Sequence, residues 1–215
     1  WTINSALREK IFNKIFVSSD NKKILNFAKK FKVNLHDRPK RFAKDYTTIF
    51  DTIRNFYNYQ KSLGYNIKIL FILEPTSPFR KKGLIKACLK TLKNKKLDSI
   101  ATFVKSRVHP HRIWSLKNKK PKSYLNLKTP EAWRPRQKLS KTFELDGSIY
   151  AFRISKKFFN SRSLIFGKSK AFLLNKKDNF DLTGTEIDVK NDFELAEIAL
   201  KKLSKKKKKT LWLLK

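Results

Sequence analysis

The chain has 215 residues, 40% of them hydrophobic and 13% aromatic, which is enough to build a core and excludes an intrinsically disordered protein. Its 52 Lys and Arg against 17 Asp and Glu give a formal charge of +35, so nucleic acid is the first partner to consider. The basic residues are mostly Lys and are spread along the whole chain, whereas nucleic-acid binders cluster Arg with aromatic residues. We therefore expect a lysine-rich surface rather than a nucleic-acid interface.

Nothing in the sequence predicts export or membrane insertion. No apolar run approaches the length of about 18 residues that a membrane span needs, and no signal peptide is present. The single cysteine, Cys88, cannot form an internal disulfide and lies in an apolar helical stretch, which predicts a buried, inert thiol. These features predict a cytoplasmic protein with no membrane partner.

Hydrophobic periodicity predicts helices and strands that alternate through the first hundred residues. Predicted helices cover residues 2–12, the stretch capped by Asp20, 47–63 with Gly64 after it, 82–92, 154–159 and the stretch capped by Asn191. Predicted strands cover residues 14–17, 33–35, 67–73, 99–104, 148–152, 171–174 and 186–189, while 105–145 is irregular. The alternation predicts a three-layer α/β fold with a largely parallel sheet, which binds ligands at the carboxyl ends of its strands.

The turn after the strongest predicted strand carries the first candidate residues. Glu74 is followed by Pro75, Thr76, Ser77 and Pro78, so two prolines flank two hydroxyls. Prolines fix φ and hold such a turn open toward a ligand. The alternative interpretation is a rigid strand-to-helix turn that Ser77 caps.

Two further patterns could bind phosphate, carboxylate or metal. Arg134 and Arg136 flank a proline and form a cationic pair suited to an anion, although in so basic a chain they could be ordinary surface charge. Glu186 and Asp188 are two apart, so on a strand both carboxylates would face one side and repel each other unless a cation lies between them. Mg²⁺ accepts such ligands together with substrate phosphates. The alternative is an acidic pair that faces solvent.

Histidine predicts no metal site here. His109 and His111 have no further Cys or His nearby, which makes a weak site, and Arg112 is the preferred functional group of that loop. We expect His36 to be structural.

The ordered set of motifs resembles the acylneuraminate cytidylyltransferases. The resemblance covers roughly residues 1–203, and its most specific parts are the Pro-Thr-Ser-Pro turn with Arg80 and the Glu-Ile-Asp element before the last helix. The matching segments are 17–20, Arg38-Pro39 with Asp45, 75–80, His109-Pro110, Arg136-Gln137, 146–150, 186–188 and Asp192-Phe193.

The resemblance implies a Rossmann-like nucleotidyltransferase fold and a reaction between CTP and a nine-carbon 2-keto sugar acid. The products would be a CMP-sugar and pyrophosphate, and the cofactor would be Mg²⁺. The implied site residues are Glu186 and Asp188 for the metal, Arg136 and Asp188 for catalysis, Arg38 and Thr48 for the nucleotide, and Glu74, Thr76, Ser77, Arg112, Arg136, Glu144, Asp146 and Tyr150 for the sugar acid. It also implies a homodimer that forms through an extension, for which residues 105–145 are the candidate.

Several departures qualify that expectation. Family members begin with a strand and a phosphate-binding loop, and this sequence begins at Trp1 and contains no Met. We therefore expect a nucleotidyltransferase domain over residues 1–203 that lacks those parts and is inactive as a fragment, followed by a disordered Lys-rich tail over 204–215. Glu74 and Glu144 stand where sialic acid enzymes have Gln and Arg, which makes the pocket more acidic and favours a legionaminate or pseudaminate over sialic acid.

Two alternatives remain open. A synthetase for the eight-carbon 3-deoxy-octulosonate would share the fold and the metal site, although Asp146-Gly147-Ser148-Ile149-Tyr150 and Arg136-Gln137 favour the nine-carbon class. A basic α/β protein that binds nucleic acid would explain the charge. It would not need the acidic pair or the Pro-Thr-Ser-Pro turn, and its DNA affinity would have to survive physiological salt.

Overall fold

A computed structural model describes residues 1–127, 131–175 and 181–206, without the side chains of 203–206. The helices are α1 (Thr2–Glu9), α2 (Lys22–Lys29), α3 (Ile49–Ser62), α4 (Leu84–Asn94), α5 (Lys156–Ser161) and α6 (Lys190–Lys206), with short 3₁₀ turns at Lys40–Phe42, Pro110–Arg112, Glu131–Trp133 and Arg136–Lys138. The strands are β1 (Phe16–Ser19), β2 (Asn34–Asp37), β3 (Ile69–Ile72), β4 (Ser99–Lys105), β5 (Trp114–Lys117), β6 (Lys120–Ser123), β7 (Phe143–Arg153) and β8 (Ser169–Leu173).

A mixed, mostly parallel sheet forms the centre, in the order β3-β7-β4-β8. Strand β7 runs antiparallel to both of its neighbours, with Phe71 opposite Ala151 and Ala101 opposite Tyr150. Strand β8 lies parallel to β4, so β3, β4 and β8 point in one direction. The predicted α/β class with a largely parallel sheet is confirmed.

Apolar residues cover this sheet on both faces, which gives the three layers. On one face, helix α4 packs Ile85, Cys88 and Leu92 against Ile100 of β4 and Ile149 of β7. On the other face lie Phe50 and Ile53 of α3, Phe158 of α5, and Tyr150 and Phe152 of β7. Because side chains alternate along a strand, Ile149 and Tyr150 serve opposite faces of β7.

Strands β1 and β2 form a separate parallel pair, with Val17 opposite Leu35. Helix α3 joins this pair to the central sheet. Its Phe56 packs on Phe16 and on the ring of His36, with ring centroids 5.1 and 5.2 Å apart, while the first half of the helix belongs to the core of the central sheet. His36 is 2% exposed and its Nδ1 lies 2.8 Å from Ser18 Oγ, so it has the structural surroundings expected of it.

Two predicted helix caps are displaced by one position or more. Asp20 does not cap α2; the Asn21 side chain accepts a hydrogen bond from Lys23 N at 2.8 Å, because Asn fits an N-cap as well as Asp does. Helix α6 begins at Lys190 rather than after Asn191. There Asp192 Oδ2 accepts from the backbone N–H groups of Asp188 and Val189, which is one half of a capping box.

The predicted strand over residues 186–189 is wrong. The segment is irregular, and Ile187 N donates a hydrogen bond of 2.8 Å to Thr76 O in the turn after β3. Gly184, with φ +66°, turns the chain just before it, and Asp192 takes the N–H groups that a strand partner would have used.

The irregular stretch 105–145 contains a β-hairpin, β5–β6, in which Leu116 lies opposite Pro121. Leu116 is 72% exposed and Trp133, whose ring centroid is 6.0 Å from that of Trp114, is 66% exposed. The segment therefore presents apolar side chains to solvent. The predicted Lys-rich tail lies outside the described residues from 207 onward, and α6 continues to Lys206.

Two further findings bear on the sequence predictions. Cys88 is fully buried, and burial raises the pKa of its thiol to about 12, so it is inert as expected. Of the helices that the structure describes, none combines the length and apolar character that crossing a bilayer demands.

The loop before β4 supplies a test of acid stability. Asp98 Oδ2 accepts hydrogen bonds from Lys157 Nζ at 2.9 Å and Lys168 N at 2.7 Å, which hold the pKa of Asp98 below its ordinary value. Such a carboxylate stabilises the fold above its unfolded pKa of about 4, and the contribution disappears as pH falls through the folded pKa. Asp98→Asn should therefore lower the free energy of unfolding by about 1 kcal/mol at neutral pH and by much less below pH 3.

Urea unfolding at several pH values measures this difference. Asp45→Asn, on an exposed loop, is the matched control and should behave like the unmodified chain throughout. A deficit of the Asp98 variant that does not depend on pH would contradict the role given to the ionised carboxylate.

Candidate functional site

The turn after β3 is held in place by a buried guanidinium. Arg80 is 2% exposed, and it donates from Nε to Ser148 O at 2.6 Å and from Nη2 to Glu74 O at 2.7 Å. Its Nη1 donates to Thr2 Oγ1 at 3.0 Å. Burial lowers the pKa of Arg80 to about 10, which still leaves it charged at neutral pH. The guanidinium therefore joins the turn, strand β7 and helix α1.

The same turn is fixed to β7 by a second set of contacts. Ser77 is 1% exposed and its hydroxyl donates to Asp146 O, while Glu74 N donates to Gly147 O at 3.3 Å. Gly147 has φ +66°, and a Cβ at this position would overlap Glu74 Oε2. Only glycine lets the Glu74 carboxylate lie against the backbone of β7.

The structure brings the predicted acidic residues together at this turn. The hydrogen bond from Ile187 N to Thr76 O places Glu186 and Asp188 on either side of a residue anchored to the turn. Six of the 17 acidic residues act on one another here: Glu74, Glu144, Asp146, Glu186, Asp188 and Asp192. We call these six residues the acidic cluster.

Burial and mutual repulsion raise pKa values within the acidic cluster. Burial is the largest cause of the raised pKa of Glu74, followed by the charge of Glu186, and Arg80 opposes both. Burial is likewise the largest cause of the raised pKa of Glu186, followed by the charges of Asp188 and Asp146. A site of this kind holds its charge most easily when a cation or a hydrogen-bond donor binds to it.

Two buried side chains of β7 line the cluster. Asp146 is 2% exposed, and neither of its carboxylate oxygens has a hydrogen-bond partner among the described residues. Tyr150 is 8% exposed, and burial, together with the charges of Glu74, Asp146 and Glu186, raises the pKa of its phenol. Tyr150 is therefore a neutral hydroxyl at physiological pH.

The donor set fits a hard divalent cation in its chemistry. Carboxylate oxygens are the ligands that Mg²⁺ prefers, and Asp188 raises the pKa of Glu186 by like charge, which a bound cation would relieve. Within residues 1–127, 131–175 and 181–206, no three His, Cys, Asp or Glu side chains are grouped closely enough to hold a metal by themselves. A cation held here would thus complete its coordination with water or phosphate oxygens.

The residues predicted to bind the nucleotide lie outside the acidic cluster. Arg38 follows β2 and pairs with Asp20, 3.4 Å away. Thr48 is the N-cap of α3, where its hydroxyl accepts from Asp51 N at 3.1 Å. No hydrogen bond or ion pair between described residues joins either side chain to the acidic cluster.

The predicted sugar-binding arginines lie on the segment between β4 and β7. Arg112 Nη2 donates to Arg134 O at 2.8 Å, and Arg136 is exposed on a 3₁₀ turn. Glu144, at the start of β7, accepts from Ser106 Oγ at 3.1 Å. The rings of His109 and His111 pack edge to face, which is a local contact within the loop.

Two features of this site were not predicted from the sequence. The motif around the proline turn includes Arg80, but no function was expected of that side chain, and no requirement for glycine was expected at position 147. The role of Arg80 could have been suspected from its position, because it is a single arginine directly after an apolar strand and a proline turn. A glycine that directly follows Asp146 and shortly precedes the apolar residues 149–152 was the sign of the second.

Solved structures with similar folds show the architecture that this chain shares. A CMP-2-keto-3-deoxy-manno-octonic acid synthetase complexed with CTP superimposes on this chain with a TM-score of 0.57 at 11% sequence identity. The superposition covers 93% of this chain and 86% of the synthetase chain. A 4-diphosphocytidyl-2C-methyl-D-erythritol synthase from Anaerococcus prevotii superimposes with a TM-score of 0.53 at 14% identity, covering 93% and 87%. The fold is that of the sugar and alcohol nucleotidyltransferases.

The family model described as cytidylyltransferase matches residues 1–166, and the chain belongs to the cytidylyltransferase family. The N-acylneuraminate cytidylyltransferase of Escherichia coli O18:K1:H7 is 24% identical over 209 residues, 96% of this chain and 46% of the relative. The N-acylneuraminate cytidylyltransferase of Streptococcus agalactiae serotype III is 23% identical over 201 residues, which are 89% of this chain and 44% of the relative. A Helicobacter pylori protein named as a pseudaminic acid cytidylyltransferase and hydrolase is 30% identical over 120 residues, which are 55% of this chain and 23% of the relative. The chain spans less than half the length of these relatives.

Proposed function

We propose that the parent protein transfers CMP from CTP to a nine-carbon 2-keto sugar acid of the sialic, legionaminic or pseudaminic type. The observation that carries this proposal is the hydrogen bond between Ile187 N and Thr76 O, which joins the Pro-Thr-Ser-Pro turn to the Glu186–Asp188 pair. We infer from this contact that the two most specific motifs of the family belong to one site, at the carboxyl end of β3, where α/β sheets bind ligands.

The proposed reaction needs a hydroxyl, a phosphate and a way to balance charge. The anomeric hydroxyl of the sugar acid gives up its proton to solvent water, and its oxygen bonds to the α-phosphorus of CTP. The bond from that phosphorus to the bridging oxygen breaks, and pyrophosphate leaves with the electron pair. Glu186 and Asp188 would hold Mg²⁺, which when bound would neutralise the phosphates and polarise the α-phosphate. Tyr150 and Glu74 would orient the sugar at the base of the site, and Arg38 and Thr48 would lie on the nucleotide side.

Pyrophosphate release tests the proposal directly. The chain, extended with its upstream coding sequence, would be assayed with CTP, Mg²⁺ and a panel of nine-carbon sugar acids plus 3-deoxy-octulosonate. Release that requires both CTP and one nine-carbon acid supports the proposal and names the substrate. Release with the eight-carbon acid alone would show that the protein is a CMP-3-deoxy-octulosonate synthetase instead. If a folded protein released no pyrophosphate with any acid of the panel, the resemblance to the family would be limited to the fold.

Arg136 is proposed to bind the carboxylate of the sugar acid. Arg136→Ala should raise KM for the sugar acid about tenfold while KM for CTP changes less than about twofold, because a guanidinium fork pairs with a carboxylate through two hydrogen bonds. Lys138→Ala removes a neighbouring exposed charge and serves as the control. If only KM for CTP rose, Arg136 would bind the nucleotide rather than the sugar acid.

The edges of the two sheets support a proposal about where a further strand could add. Strands β1 and β3 each have an unpaired edge among the described residues, and an unpaired edge favours addition of a strand. We place a further strand with a phosphate-binding loop between them, in a segment outside residues 1–215. The extended chain should then melt at a higher temperature than residues 1–215, and equal melting temperatures would contradict the placement.

The exposed apolar side chains of the β5–β6 segment support a homodimer. Trp114, Leu116, Tyr124 and Trp133 are between 41% and 72% exposed, and a second copy of the chain is the partner that would cover them. Sedimentation of the parent protein over a range of concentrations tests this. If the protein stayed monomeric at all concentrations, the proposed dimer interface would be contradicted.

A further inference from the structure

The acidic cluster carries more negative charge than its described neighbours balance. Arg80 is the cation that lowers the pKa of Glu74, and its guanidinium is already committed to two carbonyl oxygens and a hydroxyl. The proposed Mg²⁺ ligands, Glu186 and Asp188, account for part of this charge. Glu74 and Asp146 are left over.

Asp146 is the clearest sign that something else binds. Its side chain is almost fully buried, and both oxygens lack a hydrogen-bond partner within the described part of the chain. A buried carboxylate without a partner is strongly destabilising, because the charge has lost its hydration and gained nothing in exchange. Its charge contributes to raising the pKa values of Glu74, Glu186 and Tyr150, so these groups all lie within its field.

The second group, Glu74 and Asp146, is distinguished from the Mg²⁺ ligands by its surroundings, since Asp146 is almost fully buried whereas Asp188 is exposed. Hydrogen bonds from a nitrogen cation span about 2.8 Å each, and an amidinium offers several N–H groups in a plane, so it can serve more than one carboxylate.

We propose that Glu74 and Asp146 select a sugar acid whose amino substituent is a basic nitrogen, an amine or an amidine, rather than a neutral acylamino group. This inference rests on the proposed function, since it takes the sugar acid as the ligand. Glu74 is half-buried and would touch the cation, and the charge of the buried Asp146 acts on the same group. An ionised carboxylate accepts hydrogen bonds and cannot donate them, which suits a ligand group made only of N–H donors.

Gly147 supports this assignment because it leaves room for Glu74. With φ +66° and no Cβ, it lets the Glu74 carboxylate rest on β7. The charge of Asp146 contributes to the raised pKa of Glu74, so the two carboxylates act on each other in the folded chain. A ligand of opposite charge would relieve this repulsion.

The test uses pairs of nine-carbon sugar acids that differ at one nitrogen, free amine or amidine against N-acetyl, on the extended chain with CTP and Mg²⁺. The unmodified enzyme should prefer the basic member by at least about tenfold in kcat/KM, as expected for a charge-assisted pair. Glu74→Gln should lose that preference while the N-acetyl substrate stays within about threefold, and Asp146→Asn should lower the preference in the same direction.

The matched control is Glu197→Gln, which removes one acidic charge from the exposed face of α6 and should leave the preference unchanged. Preference for the N-acetyl member, or an equal loss of both substrates in Glu74→Gln, would overturn this inference and leave the cytidylyltransferase proposal intact. Absence of release with every sugar acid would instead overturn the proposed function. Calorimetric binding of the same pairs must give the same order of affinity, and the reverse order would overturn the inference without reference to turnover.

Discussion

Asp188→Asn is expected to reduce pyrophosphate release in the extended chain by at least about a hundredfold, since a lost metal ligand removes several kcal/mol of transition-state stabilisation. The substitution keeps the size of the side chain and replaces a carboxylate oxygen by an amide nitrogen. It leaves the backbone hydrogen bond from Asp188 N to Asp192 Oδ2 in place, so the start of α6 should remain folded.

The comparison that isolates the metal role pairs this variant with Glu197→Gln, which also neutralises one carboxylate but lies on the exposed face of α6. Both variants should melt at the temperature of the unmodified chain, and only Asp188→Asn should lose turnover. Full turnover in Asp188→Asn would remove this residue from the site. Loss of turnover together with a large drop in melting temperature would make its role structural.

Arg80→Leu is expected to cost about 3–5 kcal/mol of unfolding free energy, the range found when a buried charged group is separated from its partners. The substitution leaves the carbonyl oxygens of Glu74 and Ser148 buried without their donor, and it removes the link from the turn to Thr2. Urea unfolding of residues 1–215 measures the loss.

Two comparisons separate the hydrogen bonds from the charge. Arg54→Leu, on the exposed face of α3, should change the unfolding free energy by less than about 0.5 kcal/mol. Arg80→Lys keeps the positive charge without the planar fork, so it should recover only part of the stability. A lysine variant as stable as the original would show that charge alone suffices, and an Arg80→Leu variant as stable as the original would refute the role of the guanidinium.

The fold was predictable because its information is local. Alternating helical and strand periods predicted the α/β class, and the glycine predicted after residues 47–63, Gly64, directly follows Leu63, the C-cap of α3. The resemblance implied that the turn after β3 and the Glu186–Asp188 segment belong to one site. The structure joins the two segments by the hydrogen bond from Ile187 N to Thr76 O, and the roles of their side chains stay a prediction.

The failures concern contacts that no local pattern encodes. Ile187 and Val189 have the β-branched side chains typical of strands, yet the backbone there meets a turn and a helix cap instead of a neighbouring strand. Arginine is mostly exposed in proteins, so the burial of Arg80 depends on acceptors from residues 2, 74 and 148 that only the folded chain brings together.

Helix α3 gives the molecule a mechanical property. It is the element whose Phe56 packs on the small β1–β2 pair and whose Phe50 and Ile53 pack on the central sheet. Because the 14 residues of α3 are packed on both sheets, a movement of the small sheet relative to the central sheet would have to break either the Phe56 contacts or the Phe50 and Ile53 contacts. The helix therefore acts as a brace between the two sheets.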